Sequence, residues 1–204
     1  FRHDDRTLEA LLNEMRSGGV SFATRAMLNT FGGKEIKGDI VPTRLYTHNV
    51  DVDAINDREL LRLQGTSKMY EMNTKGKSSL VLTLKKSVLA PETLRLKKNA
   101  VVMFVKNSFD EGYVNGTLGI VEDFDEGQPV VRTFSGSRIA VQTARWEIEE
   151  DGKTLAFVEQ LPLRLAWAIT IHKSQGMSMD AADIDLSKAF VPGQGYVALS
   201  RLRN

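Results

Sequence analysis

The sequence predicts an α/β domain interrupted by an all-β insertion. Three observations carry that expectation: helix-spaced apolar residues with a β-rich run among them near the start, short runs cut by turn signals in the middle, and a return of α/β style at the end. Asp4 and Asp5 precede Leu8, Leu11, Leu12 and Met15, which recur at three and four residues, and Gly18-Gly19 closes a short amphipathic helix. A second helix is expected from Ser21 to about Phe31, ended by Gly32-Gly33. After Pro42, TRLYT reads as a short strand, and Val52, Ile55 and Leu60 carry helical spacing from Val50 to Leu63. That strand and helix form one unit of an α/β sheet.

From about Leu94 to Gln160 the chain changes character. AVVMFVKN, GTLGIVEDF, QPVVRTF, RIAVQTARWEI and TLAFVEQ are separated by NG, DEG, SG and DG, with no helical period among them. This predicts a small, tightly turned β-barrel. From Leu161 an apolar run, LAWAITI, meets HKSQG without a spacer; a strand AADIDLS follows, and PGQ opens a helix through Tyr196, Leu199 and Ser200. The expected divisions are residues 1–93, 94–160 and 161–204, and residues 64–93 carry no recognisable pattern.

Composition narrows the classes. A chain of 204 residues, 42% of them hydrophobic, is long enough to bury roughly 70% of its unfolded surface. No apolar stretch approaches the roughly 20 residues that span a bilayer, and the opening FRHDDRTLEA is charged. No membrane role is expected. There are no cysteines and only three scattered histidines, so neither a disulfide framework nor a metal site is expected. An intracellular location follows: cytoplasmic in a bacterium, nuclear or mitochondrial in a eukaryote. A net charge of +1 neither demands nor excludes nucleic acid, so any polyanion site must be local.

Two stretches imitate a phosphate loop, KGKSS at 75–79 and DGKT at 151–154. A P-loop needs glycine five residues before the GK glycine so that backbone amides can turn around the phosphates. Glu71 and Glu147 stand there instead, and both stretches read as turns. No apolar strand ends in paired acidic residues that would hold magnesium. If nucleotide is handled, its main phosphate cradle lies outside this chain.

Three segments place basic or polar clusters at the edge of apolar elements: FRH at 1–3, YTHN at 46–49, and HKSQG at 172–176 together with YVALSR at 196–201. Their order resembles the C-terminal half of a superfamily 1B helicase of the Pif type (petite integration frequency), with RecD-like helicases as close cousins. LPLRLAWAITIHKSQGMS looks like the family's motif V and PGQGYVALSR like its motif VI. KKNAVVMFVKN and YVNGTLGIV resemble the entry to the family's inserted Src-homology-three-like barrel; FRH is similar to its FRQ motif, and YTHNVDVDAIN to the motif that follows. The resemblance spans essentially the whole chain. It implies a RecA-like motor domain of the P-loop NTPase type that lacks its own P-loop and carries a small all-β barrel, with residues 1–35 closing the preceding motor domain.

The resemblance also assigns roles. Phosphoryl transfer puts charge on γ-phosphate oxygens, and a guanidinium there can contribute about 10³- to 10⁵-fold. Arg201 is then the arginine finger, Arg2 a second γ-phosphate arginine, and Phe1 a residue lying against adenine. Gln175 and Gly176 would face the nucleotide, and Ser178 stands where relatives often carry a glutamate for the ribose. Thr47, His48 and Asn49, with Thr170, His172 and Lys173, are candidates for a ledge that tracks single-stranded DNA by its phosphates. For His172 a second reading stays open, a side chain that caps the loop. The barrel's Arg132, Arg138 and Arg145 form no dense patch and receive no contact.

The implied activity is that of an ATP-dependent 5′-to-3′ DNA helicase. It would use ATP and Mg2+ together with the P-loop motor domain of the same protein, act on single-stranded and forked duplex DNA, and work as a monomer. The fragment alone is expected to bind no cofactor stably and to be inactive. Two alternatives are a non-catalytic nucleic-acid-binding module and a RecD-like subunit of a nuclease complex.

Overall fold

A computed structural model describes residues 6–31, 42–46, 49–177, 179, 182–185 and 193–202. The chain forms two compact units, one of residues 1–55 and 167–204 and the other of residues 56–166.

The first unit opens with helix α1 (Arg6–Arg16), which buries Leu11 and Leu12 and places Glu9 in its first turn and Arg16 in its last, as the helix dipole favours. Helix α2 (Phe22–Phe31) begins at Ser21, whose hydroxyl accepts the Thr24 N–H at 3.2 Å in an N-cap bond. Glu14 ties the two helices together: its carboxylate accepts the Thr24 hydroxyl at 2.6 Å and the Ser21 N–H at 3.1 Å. Those bonds, the Thr24 one first, hold the Glu14 carboxyl below the usual carboxylate range. Strand β1 (Thr43–Tyr46) follows with Thr43 and Leu45 buried, and helix α3 (Asn49–Arg62) packs Val52 and Ile55 against Ala168 and Tyr46.

The second unit takes over within α3. Strands β2 (Lys68–Glu71) and β3 (Asn73–Gly76) lead to helix α4 (Ser78–Ser87), then to β4 (Thr93–Leu96) and β5 (Val101–Phe104). A run of antiparallel strands completes it: β6 (Leu118–Asp125), β7 (Gln128–Thr133), β8 (Arg138–Ala140), β9 (Ala144–Glu150), β10 (Lys153–Gln160) and β11 (Leu163–Leu165). They form a five-stranded sheet in the order β11-β5-β6-β7-β8, a three-stranded sheet β3-β10-β9 and the ladder β2-β4. All four residues of β5 are buried, as expected for the middle of a core. Two hairpins turn on left-handed pairs, Glu126-Gly127 (φ 46 and 96) and Asp151-Gly152 (φ 50 and 71). Positive φ at both turn residues matches the twist of the flanking strands. The separators DEG and DG therefore do mark hairpins.

The expected all-β stretch 94–160 lies within a larger β-rich unit, residues 56–166, that also carries helix α4. Residues 64–93, patternless in sequence, join it through long-range ladders: β2 pairs with β4, β3 pairs with β10, and Leu84 of α4 packs on Ala156 and Val158 beside Trp146. The run RIAVQTARWEI proves to be two strands in two sheets, β8 on β7 and β9 on β10. The run LAWAITI is likewise divided. Leu165 ends β11 against β5 in the second unit, while strand β12 (Ala168–Thr170) belongs to the first.

Back in the first unit, β12, β1 and strand β13 (Ala182–Ile184) form a parallel sheet in the order β12-β1-β13. β12 is fully buried, as parallel strands usually are. Helix α5 (Gln194–Leu199) follows. The sequence runs this helix through Ser200; in the structure Ser200 is its C-cap.

Candidate functional site

The parallel sheet brings two of the sequence-predicted segments to one edge. Tyr46 of β1 is in register with Thr170 of β12, and the Ile171 N–H donates to the Tyr46 carbonyl at 2.9 Å. Both strands therefore end side by side. In open α/β sheets, ligands bind at this carboxyl edge. The turn that carries His172 leaves from it, and Tyr46 ends beside that turn.

The turn at Ile171–Gly176 is built from the inside. The Thr170 hydroxyl accepts the Lys173 N–H at 3.2 Å, the Thr170 carbonyl accepts the Ser174 N–H at 3.0 Å, and the Ser174 hydroxyl donates to the Ile171 carbonyl at 2.7 Å. Thr170, Ile171, Ser174 and Met177 are all buried, while His172, Gln175 and Gly176 are exposed and Lys173 is half-buried. Small hydroxyl side chains thus close the backbone bonds of a tight turn, and the residues between them face outward. Gly176 has φ +82 with open space where a Cβ would stand, so backbone conformation explains glycine here without any clash. His172 makes no side-chain hydrogen bond among the described residues, and a loop cap would require one. Thr170, expected as a DNA contact, is buried, and its hydroxyl accepts one bond of the turn.

Arg201 is joined to this turn through the backbone. The Met179 N–H donates to the Arg201 carbonyl at 2.8 Å, and Met179 and Leu202 form a parallel bridge. The Arg201 side chain is 8% exposed; its Nε donates to the Val197 carbonyl at 3.0 Å and its Nη2 to the Ser200 hydroxyl at 2.8 Å. The Val197 carbonyl, in the last turn of α5, also accepts the Ser200 hydroxyl at 2.9 Å, so Ser200 and the guanidinium cap the helix end together. Lysine, with no planar fork, could not hold both bonds in this geometry.

Five predicted site residues, Phe1, Arg2, Thr47, His48 and Ser178, lie outside the described residues. Asn49 opens α3, and its side chain also lies outside them. One contact had no sequence signal. Arg16, at the end of α1, donates from Nε to the Tyr196 hydroxyl of α5 at 3.2 Å, adds a second bond from Nη2, and sets its guanidinium carbon 5.4 Å from the ring centroid. The partners stand 180 residues apart, and no local pattern announces such a pair.

The arginines of the β body are committed elsewhere. Glu122 accepts from both Arg132 and Arg138, and Glu159 from Arg145. Those bonds hold both carboxyls below the usual carboxylate range. Among the described residues no cluster of His, Asp and Glu could hold a metal.

A parallel sheet with a polar turn at its carboxyl edge, an arginine held at the end of the following helix and an inserted β-rich unit agree with a RecA-like domain that carries an insertion. Residues 79–124 match the family model described as "DNA helicase Pif1, 2B domain". The chain is 41% identical to an ATP-dependent DNA helicase PIF1 of Xenopus laevis, an alignment that takes in 100% of this chain and 33% of that protein. Among solved structures it matches Bacteroides sp Pif1 in complex with ADP-AlF4 (TM-score 0.86, 32% identity, 100% of this chain and 48% of that one). It also matches Bacteroides Pif1 bound to ssDNA (TM-score 0.65, 32% identity, the same two shares). Over its whole length the chain is similar to Pif1-type DNA helicases. It spans about a third of the Xenopus protein and about half of the Bacteroides chain.

Proposed function

We propose that this chain is the C-terminal motor part of an ATP-dependent 5′-to-3′ DNA helicase, supplying an arginine finger and contacts to single-stranded DNA. One observation carries the reading. The Met179 N–H donates to the Arg201 carbonyl, which ties the arginine that would reach a γ-phosphate to the stretch just after the turn bearing His172, Lys173, Gln175 and Gly176. A rigid piece touching both ligands can turn nucleotide-driven closure into movement along a strand. Bacteroides Pif1 structures that hold ADP-AlF4 or ssDNA support both ligand classes.

In this reading Arg201 and Arg2 act on the γ-phosphate of ATP, with Phe1 against the adenine and Gln175, Gly176 and Ser178 near the nucleotide. Thr47, His48, Asn49, His172 and Lys173 track DNA phosphates, with Thr170 shaping the turn beneath them. ATP and Mg2+ are held mainly by the P-loop motor domain of the parent protein.

The test is Arg201→Ala in that parent. ATP turnover stimulated by single-stranded DNA should fall about 10³-fold or more, as for loss of an arginine finger, while DNA affinity stays within about threefold, less than one tenfold step in binding energy. Equal losses of turnover and DNA affinity would refute the finger. A wild-type parent that binds DNA without turnover would favour a non-catalytic binding module.

A further inference from the structure

We infer that Arg16 and Tyr196 form a strut that positions the phosphate-facing arginine of the site. The inference rests on the proposed role of Arg201 and extends it to two residues not otherwise assigned. The contact joins the last turn of α1 to α5: two guanidinium N–H groups donate to one phenol oxygen, and the cation lies over the same ring. The Tyr196 half of the pair is tied to the site through Ser200. Tyr196 sits one turn before Ser200, whose N–H donates to the Tyr196 carbonyl at 2.9 Å and whose hydroxyl accepts from Arg201.

The contact is an unusual choice if stability is its only use. Arg16 is exposed, and exposed charged contacts add little to stability. Helix α5 is only six residues long, too short to persist without tertiary contacts. Its orientation therefore depends on what it touches. A bidentate donor on one phenol fixes rotation about the helix axis, which apolar packing does weakly, and rotation of α5 sweeps the arginine at its end. Placement errors near 1 Å can cost about 100-fold in turnover. Such a strut would show itself in kcat far more than in stability.

The experiment uses the full-length parent protein with single-stranded DNA. Tyr196→Phe keeps the ring and removes the acceptor; Arg16→Met keeps the aliphatic stem and removes the donors. Each should lower kcat about tenfold, a placement effect smaller than loss of the finger itself. The KM for ATP, the Kd for DNA and Tm should stay near wild-type values. The double variant should be no worse than the poorer single one, because both remove the same contact. Unchanged kcat in either variant, additive losses, or a kcat that falls only in step with Tm would overturn the strut. A wild-type parent without DNA-stimulated turnover would overturn the proposed function itself. Wild-type turnover abolished by Arg201→Ala but untouched by Tyr196→Phe would overturn the strut alone.

Discussion

Among single residues, those on the 171–176 turn divide by exposure, Ile171 and Ser174 inward and His172, Gln175 and Gly176 outward. Buried Thr170 and Ser174 close the backbone bonds, so the exposed and half-buried residues beside them stand on a fixed base. Lys173 is the basic one of that set. If its ammonium sits on a DNA phosphate, Lys173→Ala should weaken binding about equally for all sequences and lower the slope of log K against log salt by about 0.7 for a single strand. Fluorescence anisotropy on a labelled oligonucleotide at several salt concentrations reads this directly, and an unchanged slope places Lys173 elsewhere. His172 and Lys173 could be picked out as candidates because polar residues following an apolar run are conspicuous. The inward use of Thr170 was hidden, since a threonine that caps a turn and one that binds phosphate look alike in a string of letters.

Among elements, the α1–α2 pair depends on one carboxylate. Glu14 has a folded pKa lowered from 4.5 by Thr24 and Ser21, so its contribution is fully present above pH 4.5 and fades as pH falls through the lower, folded value. Glu14→Gln should therefore lower Tm at pH 7, and the gap to wild type should narrow as the pH drops below 4.5; a pH-independent gap would show that charge is not involved. Helix α4 makes a second case. Leu84 packs on Ala156 and Val158 of β10, so Leu84→Ala should cost the transition of residues 56–166 about 3 kcal/mol, the usual range for a buried leucine. Urea unfolding with an unchanged m-value would check it. Elements with local signals were legible in sequence: both opening helices, β1, α3, β13 and the DEG and DG hairpins. Strand β3 was not, because NTKG is exposed along its whole length and exists through pairing with β10, some 80 residues away.

On the scale of the whole molecule, the described residues hold no strand-to-helix phosphate cradle of the P-loop type. Gly76-Lys77 does join β3 to α4, yet Glu71 stands where the loop's first glycine is needed. The chain alone should accordingly show no magnesium-dependent ATP turnover with single-stranded DNA, and a steady-state phosphate-release assay giving turnover would contradict this. The overall plan, α/β interrupted by β, was readable because hydrophobic period changes at its borders. The division into compact units falls at residues 56 and 166, since a contact boundary records which strands pair rather than where a pattern changes. The exit from the β body shows this at its sharpest. Only Ala166 and Trp167 separate β11 from β12, and the backbone of each is used: the Ala166 N–H donates to the Val101 carbonyl and the Trp167 carbonyl accepts the Arg44 N–H, both at 2.9 Å. Because both bonds are made by main-chain atoms, they are indifferent to which side chain is present and sensitive to how many residues there are. A one-residue insertion that slid β12 along β1 would turn Thr170 to the opposite face and undo the turn it caps. Among descendants of this sequence, the join should accept exchanges of letters, most freely at half-buried Trp167, and reject changes of length.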